Sequence, residues 1–213
     1  MQSSSSLRFL AIGDSLTAGY SDYGLSFHPY SIQLTNLFAS VNTPVTVDQH
    51  GVSGEHVVPS MVKRLEKLLS NKDKSYYDWI IILGGTNDLG YNKKADKIFN
   101  EGLKLMYNMV LENTNQNTKL AVMTVIENAH YSPEHRQDKE RQTLNTMIRN
   151  FAETYEDKTR ICLIDLDKNI PYHSIKDINQ RNAIWDDLVH LKAAGYDQMG
   201  KFIFEEISKK LNQ

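Results

Sequence analysis

The chain has 213 residues, 40% hydrophobic and 23% charged, with a formal net charge of -2. That length can bury a core without disulfides or a structural metal, and the composition excludes collagen-like, disordered and coiled-coil chains. The charge balance excludes a surface built to neutralise phosphates, so nucleic acid is not an expected partner.

The single cysteine, Cys162, permits neither an intrachain disulfide nor a multi-cysteine metal site. Residues 1–6 carry no basic region, and the apolar run at 7–12 is too short for a signal core or a membrane span. The expectation is one cytosolic domain over residues 1–213 with no integral membrane segment.

The first predicted strand is residues 7–12, and Gly13-Asp14-Ser15-Leu16 follows it as a turn. Tyr20, Tyr23, Phe27, His28 and Tyr30 cluster next; Tyr30 reads as core at the start of a helix with Ile32, Leu34 and Leu37. A second strand at 45–47 leads to Gly51-Val52-Ser53-Gly54, and beyond it Lys63, Arg64 and Lys67 read as a solvated helix face with no partner. A third strand at 79–83 runs into Gly84-Gly85-Thr86-Asn87-Asp88. Phe99, Leu103, Met106 and Val110 then step at helical spacing and predict one buried face.

After a fourth strand at 120–125, Ser132-Pro133 predicts the start of a helix running toward Tyr155, with the charged stretch 134–141 as its solvated side. The fifth strand is 161–164, with Cys162 inside it as a small buried hydrophobe. Residues 167–185 form the longest irregular stretch. Asp187-Leu188-Val189-His190 precedes a last helix at 196–211, whose Met199, Ile203, Ile207 and Leu211 recur every four residues.

Near-continuous apolar strands alternating with helices predict an α/β fold: about five parallel strands covered on both faces. Ligands of such sheets sit beyond the C-terminal strand ends. All four polar motifs fall there.

A serine becomes a nucleophile when a base takes its proton and a third group holds the base in the right tautomer. Asp187, three residues before His190, can reach the imidazole Nδ1 and leave Nε2 for Ser15. Taken alone, Asp14-Ser15 is also an ordinary helix cap and Asp-x-x-His an ordinary loop. Acyl transfer further needs donors for the tetrahedral oxygen, and the amides of Ser15 and Gly54 and the side chain of Asn87 lie on successive strand-end loops. Tyr20 and Trp185 are candidates for the substrate wall. The remaining histidines, among them His28, His56 and His173, show no metal-ligand spacing, so neither metal nor cofactor is expected.

Gly13-Asp14-Ser15-Leu16, Gly54, Gly85-Thr86-Asn87-Asp88 and Asp187-x-x-His190, in this order across nearly the whole chain, resemble the four blocks of the SGNH (GDSL) hydrolase superfamily. The resemblance implies a three-layer flavodoxin-like fold with strand order 2-1-3-4-5. It also implies Ser15 as nucleophile, His190 with Asp187 as base and orienter, and Ser15, Gly54 and Asn87 as oxyanion donors. Gln49-His50-Gly51 departs from the family, where an asparagine often precedes the second-block glycines. The G-x-S-x-G elbow of the α/β-hydrolases is absent.

The expected reaction is hydrolysis of a small-molecule carboxylic ester, of short or acetyl acyl group. Carbohydrate deacetylation and lysophospholipase or thioesterase activity are alternatives within the family. A catalytically silent binding protein is the alternative of another class.

Overall fold

The structure is a computed structural model that describes residues 6–70 and 76–211; residues 1–5 of the N-terminal stretch considered above lie outside it. Five strands, β1 (Leu7–Gly13), β2 (Val45–Gly51), β3 (Trp79–Leu83), β4 (Lys119–Met123) and β5 (Ile161–Ile164), form one sheet. Every pairing is parallel and the order is β2-β1-β3-β4-β5, the expected 2-1-3-4-5.

In chain order the described helices are α1 (Ser15–Ala18), α2 (Ser31–Ser40), α3 (Val62–Ser70), α4 (Thr86–Gly90), α5 (Ala95–Ile98) and α6 (Lys104–Asn113). They continue with α7 (Arg136–Thr154), α8 (Leu166–Asn169), α9 (Ile178–Ile184) and α10 (Ala193–Leu211). A short antiparallel ribbon, Tyr20–Ser21 with Ser26–Phe27, follows α1.

Successive strand residues point to opposite faces, so each central strand feeds two cores. Leu10 and Ile12 of β1 join Ile80 and Ile82 of β3 under α3, α6 and α7. Phe9 and Ala11 join Trp79 and Ile81 under α2 and α10. Each fully buried Leu or Ile side chain is worth about 1.5–3 kcal/mol, and the strands are apolar on both sides for this reason. Cys162 is buried in β5 as expected. Among the described residues no helix is long and apolar enough to cross a membrane.

Several expectations are corrected. The helix predicted from Pro133 starts later, at Arg136, because Ser132-Pro133 sits in a turn closed by His135 N–H on the Ser132 carbonyl and His135 caps the helix. Its charged stretch is not wholly solvated: Asp138 and Arg141 are buried, and Arg141 bonds Asp138 (2.7 Å), the Val125 carbonyl (3.0 Å) and Asp167. The segment 167–185 is not irregular throughout, since it holds α9, whose Asp177 cap accepts from the Asn179 amide. Of the four apolar positions in α10, Leu211 is exposed.

Candidate active site

β1 ends at Gly13, in register with Gly51 of β2 and Leu83 of β3, so three strand-end loops leave the sheet side by side. α1 has only four residues, far below the length at which a helix stands alone. It is held by close backbone packing: a Cβ on Gly51 would lie 2.2 Å from the Ala18 nitrogen, and one on Gly13 2.1 Å from Thr17 Oγ1. Glycine is required at both places by contact rather than by dihedral angle.

Ser15 is the first residue of α1 and only 5% exposed. Its Oγ lies 2.9 Å from His190 Nε2, and His190 Nδ1 lies 2.8 Å from Asp187 Oδ2. A neutral imidazole that donates Nδ1–H to Asp187 presents Nε2 as an acceptor, so the Ser15 hydroxyl donates to it. The loop that carries the pair is built by Asp187 itself. Its Oδ1 accepts the amides of Val189 (2.7 Å) and His190 (2.6 Å), and the Asp186 amide donates to the His190 carbonyl (2.9 Å). A bridge between Trp185 and Leu191 closes the base of the loop. Partial burial alone would raise the Asp187 pKa, but the His190 side chain and the two amides outweigh it and hold the carboxyl below its ordinary range.

Asp14 caps α1 by accepting the Leu16 amide at Oδ1 (3.0 Å). The carboxyl is fully buried, and Oδ2 has no hydrogen-bond partner among the described residues. Burial pushes its pKa from 3.8 to about 7; the Leu16 bond opposes the shift, and the charges of Asp88 and Glu55 add to it. A protonated Asp14 places no negative charge beside an oxyanion forming at Ser15. Because the folded pKa is raised, the native state keeps a proton that the unfolded chain has lost above its ordinary pKa. Stability is therefore expected to fall as pH rises from about 4 to about 7 through this group. Asp14→Asn, which keeps a capping oxygen, should flatten that part of the profile. Urea melts of both proteins at pH 5 and pH 7.5 check this, and parallel profiles would refute it.

Gly54 lies in the loop after β2 with φ +78°, in a turn where the Glu55 amide donates to the Val52 carbonyl (3.1 Å). Asn87, in α4, donates through Nδ2 to the Glu55 carbonyl (2.9 Å). A side-chain amide carries two N–H groups, which leaves one for a ligand. Asp88 is fully buried and accepts the amides of Val57 (2.7 Å) and Val58 (3.4 Å) and the ammonium of Lys93 (2.6 Å). It joins the second and third strand-end loops.

Tyr20 lies against the base, its ring centroid 4.5 Å from that of His190. The ribbon holding it is tied down by the Tyr196 hydroxyl on the Tyr20 carbonyl (2.8 Å) and by the Asp22 amide on Asp186 (2.7 Å). Trp185 is placed differently from the expected substrate wall. At 3% exposed it belongs to the core, packed edge-on against Tyr172, with its indole N–H on the Pro171 carbonyl (3.2 Å). Among the described residues no group of three or more His, Cys, Asp or Glu could hold a metal ion.

Sequence reasoning missed Arg64. Instead of lying solvated, it donates to the carbonyls of Gly13 (3.0 Å) and His50 (2.8 Å) and grips the Glu55 carboxylate. The departure at Gln49 also has a structural use: its side-chain amide donates to the Thr17 carbonyl and ties β2 to α1.

The model of the GDSL-like lipase/acylhydrolase family matches residues 11–198. Among solved structures, the chain is similar to a Clostridium thermocellum family 3 carbohydrate esterase (TM-score 0.71, 18% identity, 97% of this chain and 98% of that one). It is also similar to a lipase/acylhydrolase from Enterococcus faecalis (TM-score 0.71, 21% identity, 96% of each chain). A third is Axe2, an acetylxylan esterase from Geobacillus stearothermophilus (TM-score 0.70, 18% identity, 97% and 96%). At these identities the likeness is one of fold. None of the curated proteins matches the chain.

Proposed function

The chain belongs to the GDSL-like lipase/acylhydrolase family, and from that premise we propose that it is a serine hydrolase that cleaves short-chain carboxylic esters through an acyl-Ser15 intermediate. One observation carries the reading: residues 175 apart in sequence bring Ser15 Oγ to 2.9 Å from His190 Nε2, while Asp187 holds Nδ1.

In this reading His190 takes the Ser15 proton as Oγ attacks the acyl carbon. The negative oxygen of the tetrahedral intermediate is received by the amides of Ser15 and Gly54 and by Asn87, each donor worth about 3 kcal/mol in the transition state. His190 then gives its proton to the departing alkoxide. In the second half it deprotonates a water that attacks the acyl carbon, then returns that proton to Ser15 Oγ as the acyl–Oγ bond breaks and the carboxylic acid leaves. Residues of this chain supply every group, with no cofactor.

The low exposure of Ser15 and the Tyr20 ring beside His190 favour a short acyl group, acetyl among them. The test is a series of p-nitrophenyl esters from acetate to palmitate, with mass-spectrometric mapping of the adduct left by a serine-directed phosphonate. The reading expects kcat/KM to peak at acetate to butyrate and the adduct to map to Ser15. A peak at long chains overturns the acyl assignment alone. Absence of both turnover and labelling overturns the hydrolase and favours the silent binding protein.

A further inference from the structure

Gly54 is an exposed loop glycine, and a Cβ built on it meets nothing within 4 Å. No side-chain packing at this position can therefore fix the Gly54 amide relative to Ser15. Hydrogen-bonded ties hold the loop's flanks, and several of them meet at one side chain.

Arg64 reaches from α3 to two backbone carbonyls and one carboxylate around the site. It donates to the Gly13 carbonyl (3.0 Å), two residues before Ser15, and to the His50 carbonyl (2.8 Å), at the end of β2. Its Nε also donates to both oxygens of Glu55 (2.9 and 3.1 Å), the residue next to Gly54. The Gly13 carbonyl accepts the Val52 amide as well (3.0 Å), and the Glu55 carbonyl accepts Asn87 Nδ2 (2.9 Å). A planar guanidinium with five donors can satisfy such a set; the point charge of a lysine cannot.

We propose that Arg64, acting through Glu55, is the positioning residue that sets the Gly54 loop and Asn87 against the Ser15 turn. This rests on the acyl-Ser15 reading. The hydrogen bonds of Arg64 go to the Gly13 carbonyl behind the nucleophile, the His50 carbonyl near the end of β2 and the carboxylate beside Gly54. The ion pair is largely sheltered, with side chains 20% and 9% exposed, so the geometry it sets is not averaged away by solvent.

The proposal predicts a loss in kcat with little change in KM, because the donors hold charge that develops only in the transition state. With p-nitrophenyl acetate, Arg64→Ala is expected to lower kcat by about 30- to 100-fold, the scale of a misplacement near 1 Å. KM should stay within about threefold. Arg64→Lys should fall between the two, and millimolar guanidinium should restore part of the Arg64→Ala activity but none to Arg64→Lys. Glu55→Gln, which keeps size and the backbone carbonyl, serves as the second variant should Arg64→Ala not fold, and is expected to lose about tenfold in kcat. Folded Arg64→Lys and Glu55→Gln proteins with wild-type kcat overturn the proposal, even if their melting temperatures fall. The wild type separates the two levels. An active, Ser15-labelled wild type beside equally active variants sinks the positioning role alone; a wild type neither active nor labelled sinks the hydrolase reading and this role with it.

Discussion

Ser15→Ala and His190→Ala should each lower kcat for p-nitrophenyl acetate by about 10,000-fold or more, and the double variant should be no slower than either. The non-additivity is the informative part. If His190 acts only by taking the Ser15 proton, its loss is immaterial once Oγ is gone. The residual rate of all three proteins should be similar, maintained by the Ser15, Gly54 and Asn87 donors that the substitutions leave in place. Stability should change little, because among the described residues the side-chain hydrogen bonds of Oγ and the imidazole stay between Ser15, His190 and Asp187, and the Tyr20 ring that packs on the imidazole sits in a ribbon held separately by Tyr196 and Asp186. Thermal melts and burst kinetics on all four proteins make the check. Unchanged activity in Ser15→Ala would place the chemistry elsewhere.

The sheet was legible because its strands are buried on both faces, which forces apolar runs such as 79–83 that no solvated element would tolerate. Ser15 and His190 were legible for a different reason. The turn after β1 and the loop before α10 must each follow a recognisable element, so their place at the C-terminal rim could be inferred before any contact was known.

Arg64 and Arg141 were illegible for one shared reason. Each is a charged residue in a charged stretch of helix, which by pattern alone is a solvent face. What makes them internal is a carbonyl at a strand end far away in sequence, Gly13 for one and Val125 for the other. A hydrophobicity pattern carries no trace of such an acceptor. α9 escaped notice because it buries none of its own residues and so has no apolar face to announce it. Trp185 was placed near the right loop but on the wrong side, since an aromatic beside a catalytic motif reads alike as pocket wall or as the core beneath it.

Asp187→Asn should lower kcat by about 1,000- to 10,000-fold while leaving the loop folded, because the carboxylate performs two separable tasks. Oδ1 receives the amides of Val189 and His190, and an asparagine oxygen can still do that. Oδ2 receives His190 Nδ1–H, and there the amide presents N–H instead of a lone pair. The imidazole must then carry its proton on Nε2, where it faces Ser15 as a donor and cannot accept the hydroxyl proton. KM should hardly move, since no substrate contact is lost. The stability consequence has a definite sign. The folded pKa of Asp187 is depressed, so its contribution is present above the unfolded carboxylate pKa and is lost as pH falls through the folded one. Wild type should be the more stable near neutral pH, with the gap to Asp187→Asn closing in acid. A variant within about tenfold of wild type in kcat would mean that Asp187 shapes the loop without setting the tautomer of His190.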